Sequence, residues 1–477
     1  MITVIGLGVE KGDISLRAKT LIEDGAKKGY PVLVKTGKTA SYQTVLDLGV
    51  EHTTLDSVYD KSRSFQTLNK NLAKAVVNAG DNAIYLIDGS ASEDYSVKIL
   101  QKKFHGKLLV VDGVAKTTAQ AVVANFGNCS YSTISAYELL DGEKVSPLQA
   151  VIVYDMDDRA LASDCKLILG DLFGEETKVK YIQGGKAKSI ALYELDRQKS
   201  YDYSSAVAIE KQELLKKTRF SMADLKDIII RLRAPDGCPW DKVQTSESIK
   251  MSAVEEAYEL VDAIDSQDDD KILEEAGDIL MQAVFHAVLK EETGAFNLTD
   301  IITGVCQKLI TRHTHVFGND KASDDSSALT VWEANKRKEK GQDTFAKSVN
   351  DVPKCFPAVM RAQKVGKRAS KAGMDFACVK DASVRLQDEL TELFVAIEKG
   401  NADEIEKEVG DLLFSAVNVG RKAGADCEKA LKESVERFVK RFTLAEELAL
   451  KEHEEVDKLS ESEWDKYYLQ AKEQLSR

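Results

Sequence analysis

A chain of 477 residues with 66 Lys and Arg against 79 Asp and Glu carries a formal charge of −13. That length exceeds what one hydrophobic core serves, so two or three domains are expected. The acidic balance excludes a general nucleic-acid or anionic-membrane binder, yet admits a small anionic ligand whose charge a metal offsets locally. Seven cysteines (Cys129, Cys165, Cys238, Cys306, Cys355, Cys378 and Cys427) are scattered without a C-x-x-C pair. Reduced thiols are expected, not a disulfide framework or a zinc site. The start, MITVIGLGVEKGD, enters a strand-like run with no basic region, unlike a secretion signal. No apolar run reaches the roughly 18–20 residues of a membrane helix. A cytoplasmic protein is the expectation.

Residues 1–205 alternate short apolar runs with helical patterns. Strands are expected at Ile2–Leu7, Val32–Lys35, Ala83–Ile87, Lys107–Val111, Ala150–Tyr154, Val179–Ile182 and Ser189–Tyr193. Helices are expected at Ser15–Lys28, Tyr95–Lys103 and Thr117–Ala124. Such alternation predicts an α/β domain with a largely parallel sheet. From about Val207 strand signals vanish, and 3.6-period patterns rich in Glu, Lys, Ala and Leu take over. Pro353 and Pro357 mark a break, giving two all-α units at 220–345 and 355–477.

Each unit carries the same acids. Glu255-Glu256-x-x-Glu259 followed by Glu275-x-x-Asp278 recurs as Asp388-Glu389-x-x-Glu392 followed by Glu408-x-x-Asp411, at a constant offset of 133 residues. Residues three or four apart share a helix face, so each pair points one way. The polar stretches Asp265–Asp270 and Lys399–Asp403 read as turns, which would fold each unit into an antiparallel hairpin. Apolar flanks set the acids at the edge of a core, where unpaired carboxylates repel and lose hydration. Mg²⁺ or Mn²⁺ removes that cost, and oxygen ligands suit a hard cation. One acidic helix face is usually a solvated surface; two quartets with identical spacing are not explained that way. A helical Gly in each (Gly277, Gly410) costs about 1 kcal/mol, which close helix approach would explain. The repeats also differ: Lys407 stands where the first has Glu274.

These acids, with Gly237-Cys238-Pro239-Trp240-Asp241, Gln244-Thr245, Lys308, Arg312-His313-x-His315-Val316-Phe317 and Arg361-Ala362-Gln363-Lys364, resemble MazG-type nucleoside triphosphate pyrophosphohydrolases. The first 200 residues, through Leu192-Tyr193-Glu194-Leu195-Asp196-Arg197, resemble the tetrapyrrole-methylase-like domain of fused, YabN-type members. The resemblance implies a multidomain chain: a tetrapyrrole-methylase-like α/β domain, then tandem all-α helical-bundle units. It implies Mg²⁺-dependent hydrolysis of NTP to NMP and diphosphate, with removal of surplus or noncanonical nucleotides as the expected role. Metal ligands would be Glu256, Glu259, Glu275 and Asp278, and equivalently Glu389, Glu392, Glu408 and Asp411. Glu255 and Glu274 are candidates to orient the attacking water. Lys308, Arg312, Arg437 and Arg441 would contact phosphates, and Trp332 and Trp464 would lie near the nucleotide. A homodimer is the expected assembly. His313 and His315 lack ligand-type spacing and are read as packing residues.

For the first domain the resemblance implies an S-adenosylmethionine pocket at Gly6 and Gly8. The usual prolines are missing after Gly8 and in Asp88-Gly89-Ser90-Ala91-Ser92, which weighs toward a scaffold. Two alternatives stand beside hydrolysis. One is an S-adenosylmethionine-dependent methyltransferase using the helical half as a dimerisation platform. The other is a non-enzymatic nucleotide sensor.

Overall fold

The structure is a computed structural model that describes residues 1–62, 64–342, 344–452 and 455–476. The chain divides into two compact units, Met1–Leu298 and Thr299–Arg477. The division falls inside the expected 220–345 unit, not at its start. Lys226–Glu291 and Arg233–Glu292, each 2.7 Å, tie the helix Met222–Arg233 to the helix Asp269–Glu292. Lys217 in the preceding linker reaches Asp224 at 2.7 Å with both side chains buried.

The first unit contains two sheets. β1 (Ile2–Gly6), β2 (Val32–Val34), β3 (Thr53–Thr54), β4 (Ile84–Ile87) and β5 (Leu108–Val111) form a parallel sheet in the order β3-β2-β4-β1-β5. Every residue of β1 and β4 is buried, as a sheet covered on both faces requires. Alternation sends Ile2 and Val4 into one core and Ile5 into another.

β6 (Tyr131–Ser135), β7 (Ala150–Tyr154), β8 (Lys178–Gln183), β9 (Lys186–Ala191) and β10 (Ala206–Ile209) form a second sheet, ordered β6-β7-β10-β8-β9. Only its β6–β7 pair is parallel, so the expected largely parallel sheet holds for the first sheet alone. β10 also corrects the view that strands end before Val207. Its four residues, Ala-Val-Ala-Ile, are all buried and too short to show alternation.

The helical part of the first unit contains a hairpin of Ser252–Ser266 and Asp269–Glu292. The second unit contains the equivalent hairpin, Val379–Lys399 and Ala402–Lys422, followed by Cys427–Ala449 and Glu461–Gln474. No helix among the described residues is long and apolar enough to cross a membrane.

Candidate functional site

The two hairpins turn by the same device. Gln267 (φ +57°) and Gly400 (φ +66°) end the first helices in the left-handed conformation. Asp268 and Asn401 follow, and their side-chain oxygens accept backbone N–H groups of the next helix, from Lys271 in one case and from Asp403 and Glu404 in the other. Left-handed residue and cap both repeat at the 133-residue offset.

The first hairpin brings Glu256, Glu259 and Glu275 together, one carboxylate oxygen of each within 4.8 Å of the others. Glu256 and Glu275 are half-buried and Glu259 is exposed. Asp278, expected as a fourth ligand, lies outside this set. It is one turn beyond Glu275 and acts on it through charge. Lost hydration, then Glu259, Glu274, Asp278 and Glu256, hold the Glu275 carboxyl above the usual carboxylate range. Glu255 and Glu274 are exposed. None of these six acids makes an ion pair among the described residues.

The second hairpin brings together Glu389, Glu408 and Asp411, again within 4.8 Å. Glu389 and Glu408 are buried. Glu392 lies outside the set, with a half-exposed side chain. Here cations are already present. Arg385 is 2.7 Å from Glu389 and 3.6 Å from Glu392. Lys407 is 2.7 Å from Glu408 and 3.5 Å from Asp411. Glu408 keeps one buried oxygen, Oε2, without a hydrogen-bond partner.

Close helix approach does not explain Gly277 and Gly410, since a Cβ at either would meet nothing within 4 Å. Nothing in the structure explains these glycines. Gly410→Ala is therefore expected to raise stability by about 1 kcal/mol in thermal denaturation. A lowered midpoint would mean that another molecule approaches this face.

The basic and aromatic candidates lie in the second unit. Lys308 is exposed. Arg312 donates to both oxygens of Glu339 at 2.8 and 3.1 Å and stacks over Trp332. Lys336 lies against the same ring. Arg437 sits 3.9 Å from Glu433, and Arg441 is half-buried. Trp464 stacks on Phe442 at 5.4 Å beside a buried cluster of Ala445, Ala449, Tyr467 and Ala471. Trp464→Ala is expected to cost about 2–3 kcal/mol of stability. An unchanged melting temperature with a raised KM would instead put it at the nucleotide. His313 is bonded through Nδ1 to the Leu309 carbonyl.

Gly6 and Gly8 are packed from within. A Cβ on Gly6 would meet Gly113 and Gly89 at 2.5 Å, and one on Gly8 (φ +78°) would meet Asp13 at 2.2 Å. The amides of Val9 and Glu10, which an anion would need, donate to the Asp13 carboxylate at 2.9 and 2.8 Å. The turn thus carries its own anion. A cavity of about 430 Å³ beside it is lined by Gly89, Lys116, Gln120, Ile182 and Tyr203.

Sequence reasoning missed Arg233. Its buried guanidinium grips Glu292 and donates to the Asp241 and Gln244 carbonyls, at 2.5 and 3.2 Å, while lying over Phe285. It fastens the Gly237–Gln244 loop to the helix carrying Glu275. An arginine at the end of a helix reads as an ordinary C-terminal charge, so no local signal marks it.

The fold and site define a class: a two-sheet α/β region joined to duplicated helical hairpins, each with a carboxylate cluster. The MazG nucleotide pyrophosphohydrolase domain matches residues 244–317 and 380–443. The chain is 31% identical over 438 residues to the uncharacterized protein YabN of Bacillus subtilis (strain 168), covering 88% of each chain. It is 38% identical over 258 residues to the nucleoside triphosphate pyrophosphohydrolase/pyrophosphatase MazG of Thermotoga maritima, covering 54% of this chain and 98% of that one. It is also 38% identical over 227 residues to the nucleoside triphosphate pyrophosphohydrolase of Escherichia coli (strain K12), covering 47% and 86%. A solved uroporphyrin-III C-methyltransferase from Thermus thermophilus aligns over 44% of this chain and 91% of its own at 12% identity, with a TM-score of 0.32. The chain belongs to the MazG nucleotide pyrophosphohydrolase family, and it is a hydrolase of that family.

Proposed function

We propose that the chain is a Mg²⁺-dependent pyrophosphohydrolase that converts nucleoside triphosphates to monophosphates and diphosphate, removing surplus or noncanonical nucleotides. The observation that carries this is the first carboxylate cluster: three oxygens close enough to share one ion, with no ion-pairing cation among the described residues. That donor set fits a hard divalent cation, held by Glu256, Glu259 and Glu275. When bound, the cation supplies charge neutralisation on phosphate oxygens and acidifies water. The chain's own groups do the rest. Asp278 adds negative field at the cluster, and Glu255 and Glu274 are the candidates to orient water by accepting its proton. Mn²⁺ satisfies the same donors.

The α/β half is read as a scaffold rather than a methyltransferase, because the Gly6–Gly8 turn is filled by Asp13. Calorimetric titration with S-adenosylmethionine tests this, and saturable heat would contradict it. A homodimer is proposed from the hairpins' apolar residues left to water, including Tyr258, Leu273, Phe394 and Leu413, each more than half exposed. Light scattering at a single-chain mass would contradict the dimer. The activity itself is tested with a panel of ribo- and deoxyribonucleoside triphosphates plus Mg²⁺, scored for diphosphate. A sensor without turnover would bind them and release none.

A further inference from the structure

At the 133-residue offset each ligand-type acid of the first hairpin finds an acid in the second, but two neighbours become cationic. Ser252 becomes Arg385, and Glu274 becomes Lys407. Both new cations fall on the cluster. Arg385 serves Glu389 at 2.7 Å and Glu392 at 3.6 Å; Lys407 serves Glu408 at 2.7 Å and Asp411 at 3.5 Å. Every acid of the quartet therefore has a cation within ion-pair reach, whereas none of the first quartet does among the described residues.

The acids carrying the shortest pairs are the buried ones, with Glu389 and Glu408 side chains only 6% and 11% exposed. Pairs to buried carboxylates are screened less by salt than surface pairs, and losing either partner would leave a charge with little water. A divalent cation would have to enter beside two positive charges or evict both. One oxygen of each of Glu389, Glu408 and Asp411 is already taken by Arg385 or Lys407, so those charges are compensated before any ion arrives.

We propose that the second cluster is a metal-free copy in which Arg385 and Lys407 take the place of the divalent cation and brace the second hairpin, leaving metal binding to the first cluster. This rests on reading the first cluster as the cation site. The test is a Mn²⁺ titration of the full chain followed by electron paramagnetic resonance, which counts bound metal without requiring turnover. Glu256→Gln should abolish specific Mn²⁺ binding, while Glu389→Gln and the more exposed Asp411→Asn should leave bound Mn²⁺ per chain unchanged. Loss of Mn²⁺ in Asp411→Asn, or in a folded Glu389→Gln, would overturn the proposal. Full binding in Glu256→Gln would instead overturn the reading of the first cluster. The double variant Arg385→Ser/Lys407→Glu, which restores the first hairpin's residues, should bind additional Mn²⁺. A folded double variant that binds none beyond the wild type would remove Arg385 and Lys407 as the cause.

Discussion

Glu256→Gln and Glu275→Gln are each expected to lower diphosphate release by on the order of 10³-fold, about 4 kcal/mol of lost transition-state stabilisation. Each change keeps the side chain's size and removes one charge from a set of three oxygens that converge within 4.8 Å. Glu256→Gln also removes one of the charges that, after lost hydration, hold the Glu275 carboxyl above its usual range, and Glu275→Gln removes that carboxyl itself. The metal-free chain should therefore melt at the same or a higher temperature than the wild type, while Mg²⁺ should stabilise the variant less. Measured kcat with Mg²⁺ and melting curves with and without it check both halves. Wild-type turnover in both variants would remove these residues from the site.

Lys116→Met is expected to destabilise the first unit by about 3–5 kcal/mol, because it strands buried carboxylates. The ammonium lies 2.7 Å from Asp88 and 3.1 Å from Asp155, and Asp88 is also 3.6 Å from Lys35, which pairs with Asp94 at 2.8 Å. Burial alone would lower the Lys116 pKa, but Asp155 and Asp88 outweigh it and hold it well above the usual lysine range. Burial alone would raise Asp88, but Lys116 and Lys35 outweigh it and hold it well below the usual carboxylate range. The signs fix the pH window. Asp88 contributes stability that is fully present above about pH 4 and lost as pH falls through its depressed value. Lys116 contributes stability present below about pH 10 and lost as pH rises through its elevated one. Denaturant unfolding at neutral pH should show the loss, with kcat of the folded fraction unchanged. A fully stable variant would mean that the network contributes nothing net.

The hairpins were legible because their turn signals and acid spacing are local: Asp268 and Asn401 cap, and positions three apart share a face. Which acids converge was not legible. Helical spacing puts Asp278 beside Glu275 and Glu392 beside Glu389, but the crossing of the two helices decides which carboxylates meet, and both of these fall outside. Arg385 escaped attention for the same reason, since one turn before Glu389 it reads as an ordinary surface partner. Gly277 and Gly410 misled, as a glycine signals the absence of a side chain without naming what fills the space. Strand β10 was lost because four small apolar residues carry no period. The partners of Arg312 and Trp464 were not legible either, because Glu339 and Phe442 lie 27 and 22 residues away along the chain.

The most direct measurement is ³¹P nuclear magnetic resonance of a nucleoside triphosphate incubated with the full chain and Mg²⁺, run beside a Glu256→Gln/Glu259→Gln/Glu275→Gln triple variant. The wild type should yield nucleoside monophosphate and diphosphate, and the triple variant neither. Nucleoside diphosphate and phosphate as products, or diphosphate formed equally by the triple variant, would contradict the assignment.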